Sequence, residues 1–231
     1  MTLSAVLFDW GGTLSVYEPV DLLAMWHAAA SVLDPTDPGP LAQRLLDAEQ
    51  DWWHERVRDG DGTGSGTTEQ IVRSVEERTH LPVHEALAAY HGAWEQTVSH
   101  DPSAALVLQG LRDRGIRTGL LSNTHWPREL HDRWLAEAGL LDLLDERVYT
   151  SDLAHMKPHR EAFLALTGAL CVDPAACAFV GDRPRDDVSG AQSLGMRTVL
   201  LTGRPVEPFD VRADVELPDL SGLLDVVDAW V

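Results

Sequence analysis

From residue 104 to residue 201, short apolar runs alternate regularly with amphipathic segments. The apolar runs are IRTGLLSN, RVYTS, ACAFVGD and RTVLLTG, and most of the segments between them repeat apolar residues at three- and four-residue spacing. Alternating strands and helices of this kind build a parallel sheet covered by helices on both faces. The N-terminal run VLF at residues 6–8 is expected to join the same sheet. The chain is therefore predicted to contain a doubly wound α/β domain.

Residues 16–99 have a different pattern, with four stretches of helical periodicity and no recognisable strand between residues 20 and 99. Prolines separate the first two stretches, and the glycine-rich residues 59–66 form an expected flexible loop before the third. We predict that residues 1–15 and 100–231 form the α/β core. Residues 16–99 would then be an all-helical domain inserted directly after the first strand.

The charge balance restricts the partners of the chain. Lys and Arg number 18 against 37 Asp and Glu, which gives a formal net charge of −19. This charge argues against binding nucleic acid or an anionic membrane through bulk electrostatics, so an anionic small-molecule substrate needs a local metal, backbone amides or individual cations. Neither a signal peptide nor a membrane-spanning run is evident, and Cys171 and Cys177 are interpreted as buried thiols. We expect a cytoplasmic monomer or homodimer.

Polar side chains follow several of the predicted strands. Asp9 ends the first strand, Ser122 and Asn123 end the second, and Asp182 ends a later one, while Lys157 precedes a helix. In an open α/β sheet, ligands bind at the carboxyl ends of the strands. Several carboxylates in one crevice would repel one another and have raised pKa values, and a divalent cation such as Mg²⁺ would relieve that repulsion.

Four segments occur in a fixed order along the chain: FDWGGTL, LLSNT, HMKPHREAF and VGDRPRDDVSGAQSLGM. Together they resemble the four motifs of the haloacid dehalogenase (HAD) superfamily, and the helical insert resembles the mobile cap of that family. The resemblance implies a Rossmann-like core and a hydrolase, most often a phosphatase, that forms an aspartyl-phosphate on Asp9. It assigns phosphoryl binding to Ser122 and Lys157.

The same resemblance implies the metal ligands and the remaining substrate contacts. Mg²⁺ would be held by Asp9, the backbone carbonyl of Gly11 and Asp182, with Asp187 preferred over Asp186 for orienting its water ligands. The predicted substrate-binding residues are Trp10, Gly11, Gly12, Ser122, Asn123 and Lys157.

Position 11 departs from the family pattern. Phosphatases of the family have a second Asp there as general acid, and acid–base assistance is typically worth about 10²–10⁴-fold in rate. Gly11 has no side chain. One interpretation is a phosphatase that acts on good leaving groups or takes an acid from elsewhere, with His54, His125 and His155 as candidates.

Two other interpretations stay open. The chain could be a 2-haloacid dehalogenase that uses Asp9 without a metal, although such enzymes have Tyr at position 11 and lack the acid that is present here as Asp182. It could also be a catalytically weak protein that binds a phosphorylated ligand. Trp52, Trp53 and Trp94 lie on predicted cap helices, where aromatic residues usually pack in the core, and Trp52 and Trp53 are also candidates for substrate contact. Arg183 and Arg185 either neutralise the acidic cluster or point to solvent.

Overall fold

A computed structural model describes residues 2–17, 20–58, 61–76, 78, 80–95, 97–203 and 208–231. The main sheet contains β1 (Ala5–Phe8), β4 (Arg117–Ser122), β5 (Glu146–Tyr149), β6 (Cys177–Gly181), β7 (Arg197–Leu201) and β8 (Val215–Leu217). Their order is β5-β4-β1-β6-β7-β8, and every neighbouring pair is parallel. The order changes direction at β1, so Asp9 follows the central strand at the switch point where such sheets bind ligands.

The central strands are apolar because both of their faces are covered. In β1, Val6 and Phe8 belong to an apolar cluster on one face, and Ala5 and Leu7 belong to a cluster on the other. All four side chains are fully buried, as the two-residue period of a strand between two helical layers requires.

Helices of the core connect the strands. They are α5 (Ala104–Asp113), α6 (Arg128–Glu137), α7 (Arg160–Ala169), α8 (Gly190–Gln192) and α9 (Leu223–Asp228). Within the fourth motif, a π-helical turn over Pro184–Ser189 precedes α8. The periodicity did not predict β8 or α9.

The insert contains α1 (Leu22–Leu33), α2 (Pro38–Trp53), α3 (Thr68–Val75) and α4 (Val83–Trp94), and a π-helical turn over His54–Arg58 extends α2. Local sequence fixes two of the starts. The Asp21 side chain accepts a hydrogen bond from the backbone N–H of Ala24, and Thr67 and Gln70 form a reciprocal capping box at α3. The four helices predicted for the insert, which is called the cap below, are therefore present.

The insert was expected to be all-helical, but a short strand lies at each of its two ends. The chain leaves the core through β2 (Ser15–Tyr17) and returns through β3 (Val98–His100), and these two strands pair antiparallel. Pairing satisfies the backbone groups of both connections. Three-residue strands are too short to show a period in sequence, which is why they were missed.

The glycine-rich loop of the cap is bonded to the core. Gly64 N–H donates to the Ala154 carbonyl at 3.0 Å, and Met156 N–H donates to the Gly62 carbonyl at 2.7 Å. The Ser65 hydroxyl donates to the Leu153 carbonyl at 2.5 Å. Asp59 and Gly60, also predicted to belong to this loop, lie outside the described residues. The described part of the loop is therefore attached to the core beside Lys157.

Two further sequence expectations can be compared with the structure. Cys177 is buried in β6 as expected, but Cys171 is exposed just after α7, so the prediction of two buried thiols is half wrong. Among the described residues, no helix has the length and apolar character needed to cross a membrane.

Candidate active site

Asp9 and Lys157 form a buried ion pair at the carboxyl end of β1. The Asp9 N–H still donates to the Val180 carbonyl of β6, which fixes the residue just beyond the strand. Lys157 Nζ lies 2.6 Å from Asp9 Oδ1 and 2.7 Å from Asp187 Oδ1. Burial lowers the pKa of Lys157, but the two carboxylates outweigh burial and hold that pKa above its usual range. The only lysine of the chain is therefore charged.

Asn123 positions Lys157 through the backbone. Its amide Nδ2 donates to the Lys157 carbonyl at 2.9 Å, and its Oδ1 accepts from the Lys157 N–H at 2.8 Å. Asn123 was predicted to bind substrate and does line the cleft, and these two hydrogen bonds engage both ends of its amide group. Ser122, at the end of β4, is buried and lies on the same cleft.

Three carboxylates form a group that fits a divalent cation. One oxygen from each of Asp9, Asp182 and Asp187 lies within 4.8 Å of the others. Burial, followed by repulsion from Asp9 and Asp187, raises the pKa of Asp182 to about 7, and its buried Oδ1 has no hydrogen-bond partner. An orphaned carboxylate oxygen in an all-oxygen site suits Mg²⁺.

The structure distinguishes the two neighbouring acids of the fourth motif. Asp187 accepts from Lys157 and, through Oδ2, from the Arg183 N–H at 2.9 Å. Asp186 lies instead on the cleft, 3.7 Å from an Arg183 guanidinium nitrogen. Burial, followed by repulsion from Asp187, raises the pKa of Asp186 to about 7. The carboxylate cluster therefore contains Asp187, which was the preferred residue of the pair.

Gly12 lies against the acidic cluster and not on the cleft. Its φ is +88°, and a Cβ on this residue would lie 2.2 Å from Asp182 Oδ2. Gly12 was predicted to bind substrate, but it is not among the residues lining the cleft. Its backbone makes the turn after Asp9 and leaves the space that the Asp182 carboxylate fills.

A cleft of about 270 Å³ opens above Asp9 between the core and the cap. Its floor includes Asp9, Gly11, Ser122 and Lys157. Its volume is slightly below the usual range for small-molecule sites, which is on the order of 300–1,000 Å³. Gly11 is not one of the glycines with positive φ, so its backbone does not require a glycine.

Glu49 of α2 joins the cap to the core at this cleft. It accepts hydrogen bonds from His125 Nε2 at 2.7 Å, from Trp26 Nε1 at 2.7 Å and from the Tyr90 hydroxyl at 3.1 Å. Burial raises the pKa of Glu49, but these bonds, led by the one from His125, outweigh burial and lower it. Glu49 is therefore an ionised carboxylate facing His125, which follows the second motif.

The three histidines proposed as replacement acids lie in different places, and only His125 is among the described residues that line the cleft. His125 lines the cleft, but Glu49 engages its Nε2 and the Thr68 hydroxyl lies 3.0 Å from its Nδ1. His54 and His155 are not among the cleft-lining residues, and the His155 ring stacks on His159 with centroids 3.9 Å apart. A general acid needs a ring nitrogen within reach of the leaving oxygen.

The aromatic candidates separate by position. Trp10, Trp53 and Trp94 line the cleft, whereas Trp52 packs edge-to-face against His125 with ring centroids 5.6 Å apart. Arg183 lines the cleft beside Asp186, and the Arg185 guanidinium lies 6.0 Å from the Phe209 ring centroid.

Sequence reasoning missed Glu49, Trp126 and His131, all of which line the cleft. One signal was present for Glu49. It follows Leu45 by four residues and precedes Trp52 by three, so it lies on the apolar face of α2 where a carboxylate is unexpected.

Comparison with known proteins identifies the family. The model of the haloacid dehalogenase-like hydrolases matches residues 3–195. The chain belongs to the haloacid dehalogenase-like hydrolase family. The family match includes the insert, the first three motifs and all but the last residue of the fourth.

Several relatives of this hydrolase are named as phosphatases. It is 27% identical to a glyceraldehyde 3-phosphate phosphatase of Methanopyrus kandleri over 62% of each chain. It is 27% identical to a ribulose-1,5-bisphosphate 5-phosphatase of Halopiger xanaduensis over 97% of this chain and 99% of that protein. A mouse haloacid dehalogenase-like hydrolase domain-containing protein is 35% identical over 54% of this chain. The hydrolase spans about half (50%) of the mouse protein's length and 62% of the Methanopyrus protein's.

Solved structures of both branches resemble this hydrolase. A HAD phosphatase from Thermococcus onnurineus matches with a TM-score of 0.71 at 26% identity, covering 97% of this chain and 98% of that one. An L-2-haloacid dehalogenase matches with a TM-score of 0.66 at 25% identity, covering 99% and 100%. The fold thus serves both reactions, and the site residues must distinguish them.

Proposed function

We propose that this hydrolase is a Mg²⁺-dependent phosphatase that cleaves a small phosphate monoester through an aspartyl-phosphate on Asp9. The observation that carries the proposal is the buried contact of Lys157 with Asp9 and Asp187, beside the orphaned oxygen of Asp182. Phosphatases among the relatives support the same reaction class. The family resemblance implies that a dehalogenase would use no metal and would lack the acid that is present here as Asp182.

Each side chain has a defined task in this reaction. Lys157 uses two of its three ammonium N–H donors on Asp9 and Asp187, which leaves one for a phosphoryl oxygen. Because the lysine occupies Asp9 Oδ1, Oδ2 is the oxygen that attacks phosphorus and forms the new P–O bond while the alcohol oxygen leaves. The Ser122 hydroxyl donates to a second phosphoryl oxygen. Water then hydrolyses the acyl phosphate and restores Asp9.

Mg²⁺ held by Asp9, the Gly11 carbonyl, Asp182 and Asp187 would neutralise the phosphoryl charge and the repulsion among the carboxylates. Asp187 also orients Lys157 through its direct ion pair. Removal of the ion with EDTA is therefore expected to abolish turnover.

The first test is phosphate release from p-nitrophenyl phosphate by the wild type and by Asp9→Asn, each with Mg²⁺ or EDTA. The p-nitrophenolate ion leaves without protonation, so the assay is insensitive to the missing acid at position 11. Turnover that requires both Mg²⁺ and Asp9 supports the proposal. Absence of phosphate release, together with metal-independent halide release from a 2-haloacid, would identify a dehalogenase instead.

A second test concerns the missing acid. We expect Gly11→Asp to accelerate hydrolysis of alkyl phosphates by about 10-fold or more, with little effect on p-nitrophenyl phosphate. The wild type should show a steep fall of kcat/KM with leaving-group pKa across a series of aryl phosphates, and the variant a shallower one. Equal slopes would show that another group already supplies the proton.

A further inference from the structure

The cleft above the phosphoryl site has mainly apolar walls. Its upper part is formed by indole rings from both domains and by two aliphatic side chains near the start of the cap. These residues are Val20, Leu22, Trp53, Trp94 and Trp126. Trp94 and Trp126 pack on each other with ring centroids 4.9 Å apart, so they form one continuous aromatic surface. Indole surfaces of this kind gain free energy mainly by covering apolar parts of a ligand.

Positive charge is scarce in the same cleft. Among the described residues that line it, Lys157 and Arg183 are the basic side chains of Lys or Arg type. Lys157 is bonded to Asp9 and Asp187, and an Arg183 guanidinium nitrogen lies 3.7 Å from Asp186. His131, another lining residue, is neutral because burial lowers its pKa to about 3. Because both of these cations already lie next to carboxylates, a second anionic group on the substrate would have to compete with those carboxylates for a counter-charge.

Glu49 adds a second argument against an anion in this cleft. Glu49 lines it as an ionised carboxylate whose three bonds from His125, Trp26 and Tyr90 are already made. A carboxylate or second phosphate placed there would meet like charge at short range in a poorly hydrated site.

We propose that the substrate of this site is a phosphate monoester whose organic part is a single apolar, preferably aromatic, group without a second anion. The inference rests on the proposed phosphatase function and specifies its substrate class. Trp53, half-buried at the end of α2, is the specificity-determining residue that the cap contributes. The phosphate ester of a short polyol would leave the indole surfaces uncovered. A bisphosphate would leave its second anion without a partner.

Phosphonates test this preference without interference from leaving-group chemistry, because their P–C bond is not hydrolysed by this mechanism. Inhibition constants against p-nitrophenyl phosphate would be measured for ethylphosphonate, benzylphosphonate, 3-phosphonopropionate and 2-aminoethylphosphonate. Calorimetric titration of the Mg²⁺-loaded protein would measure the same affinities independently of turnover. We expect benzylphosphonate to bind about 10-fold or more tightly than ethylphosphonate, and 3-phosphonopropionate to bind more weakly than ethylphosphonate.

Three variants locate the effect. Trp53→Ala should remove most of the benzyl preference, Trp53→Phe should keep it, and Trp230→Ala should leave it unchanged because Trp230 packs on Arg197 away from the cleft. Thermal unfolding of each variant verifies folding, and a Trp53→Ala that does not fold leaves the Phe variant and the wild-type ligand series to decide.

The outcomes separate this inference from the proposed function. Equal affinity for the ethyl and benzyl ligands, with normal phosphatase turnover, overturns the aromatic preference alone. Tightest binding of 2-aminoethylphosphonate overturns it in favour of a cationic ligand facing Glu49. If no phosphate ester is turned over while the phosphonates bind in the expected order, the proposed function fails and the inference loses its premise.

Discussion

Neighbouring residues fix both the side chain and the backbone of Lys157. Its ammonium contacts Asp9 and Asp187, and the Asn123 side chain forms hydrogen bonds with its backbone N–H and carbonyl. The ammonium has little freedom to follow a misplaced substrate, because the side chain is only 2% exposed. The position of its remaining N–H donor therefore depends on the backbone that Asn123 fixes.

Asn123→Ala is expected to lower kcat/KM by about 10²-fold, because it removes both backbone bonds and misplaces Lys157. The loss of two hydrogen bonds should also reduce the free energy of unfolding by about 2 kcal/mol. Steady-state kinetics and urea unfolding would measure the two effects.

Ser151→Ala is the matched control for that variant. Ser151 Oγ donates to the Trp126 carbonyl at 2.7 Å, so it makes a similar side-chain-to-backbone bond between the same two segments without contacting Lys157. It should be mildly destabilised and keep its activity. If both variants lose activity equally, segment stability, and not the position of Lys157, explains the result.

At the scale of elements, α2 is attached to the core through Glu49. Glu49→Gln keeps an acceptor for His125 and Tyr90 but turns an amide N–H₂ towards the Trp26 N–H. We expect a loss of about 2–3 kcal/mol in unfolding free energy, because a buried donor is left unpaired. Asp51→Asn makes the same chemical change at an exposed site on α2, and its effect should stay within about 0.5 kcal/mol. Equal stabilities of the two variants, in urea titrations, would contradict a structural role for the Glu49 carboxylate.

The cap loop provides a second test at this scale, with two glycines of similar backbone conformation. Gly62 and Gly64 have φ values of +80° and +84°. A Cβ on Gly62 would lie 2.2 Å from the Met156 carbonyl oxygen, whereas the nearest atom for Gly64 is Arg56 Nε at 3.9 Å. Both Ala variants incur the left-handed strain of about 1–2 kcal/mol, but only Gly62→Ala pushes the loop off the core.

We therefore expect Gly62→Ala to unfold at a lower urea concentration than Gly64→Ala and to lower kcat/KM. Hydrogen exchange provides the local measurement, because the Met156 N–H donates to the Gly62 carbonyl next to Lys157. Its exchange should accelerate in Gly62→Ala and not in Gly64→Ala. Similar exchange rates in both variants would show that backbone strain matters more than the clash of the new Cβ with the Met156 carbonyl oxygen.

Across the whole molecule, the parts that the sequence predicted are those encoded locally. Asp9, Ser122 and Asp182 each end an apolar strand, so strand-end reasoning finds them without knowing how distant segments pack. The contact between Glu49 and His125 joins residues 76 positions apart and depends on how the cap is oriented over the core. No local pattern contains that orientation, which is why the cleft wall formed by the cap could only be seen in the structure.

A buried histidine in the contact region between the cap and the core makes the stability of the whole chain depend on pH. α6 places His131 in the aromatic cluster between the domains, where its ring stacks on Tyr149 with centroids 4.8 Å apart. Burial, followed by the charges of His125 and His91, lowers the pKa of His131 to about 3. The unfolded chain takes up a proton on this histidine near pH 6.5, and the folded chain does not. Stability from His131 is therefore present above pH 6.5 and is lost as the pH falls towards 3.

Between pH 7.5 and pH 5 this histidine should remove about 2 kcal/mol from the free energy of unfolding. Asp182 and Asp186, whose pKa values are raised to about 7, act in the opposite direction, since their penalty disappears as they become protonated. In a comparison with His131→Phe, the contribution of the two acids to the pH dependence cancels, because both proteins contain them. The phenyl ring of the variant also keeps the stack on Tyr149. Urea unfolding at each pH should show the variant losing about 2 kcal/mol less than the wild type over this range. Parallel pH dependences would mean that His131 is protonated in the folded protein, and the aromatic cluster would then have to accommodate a charge.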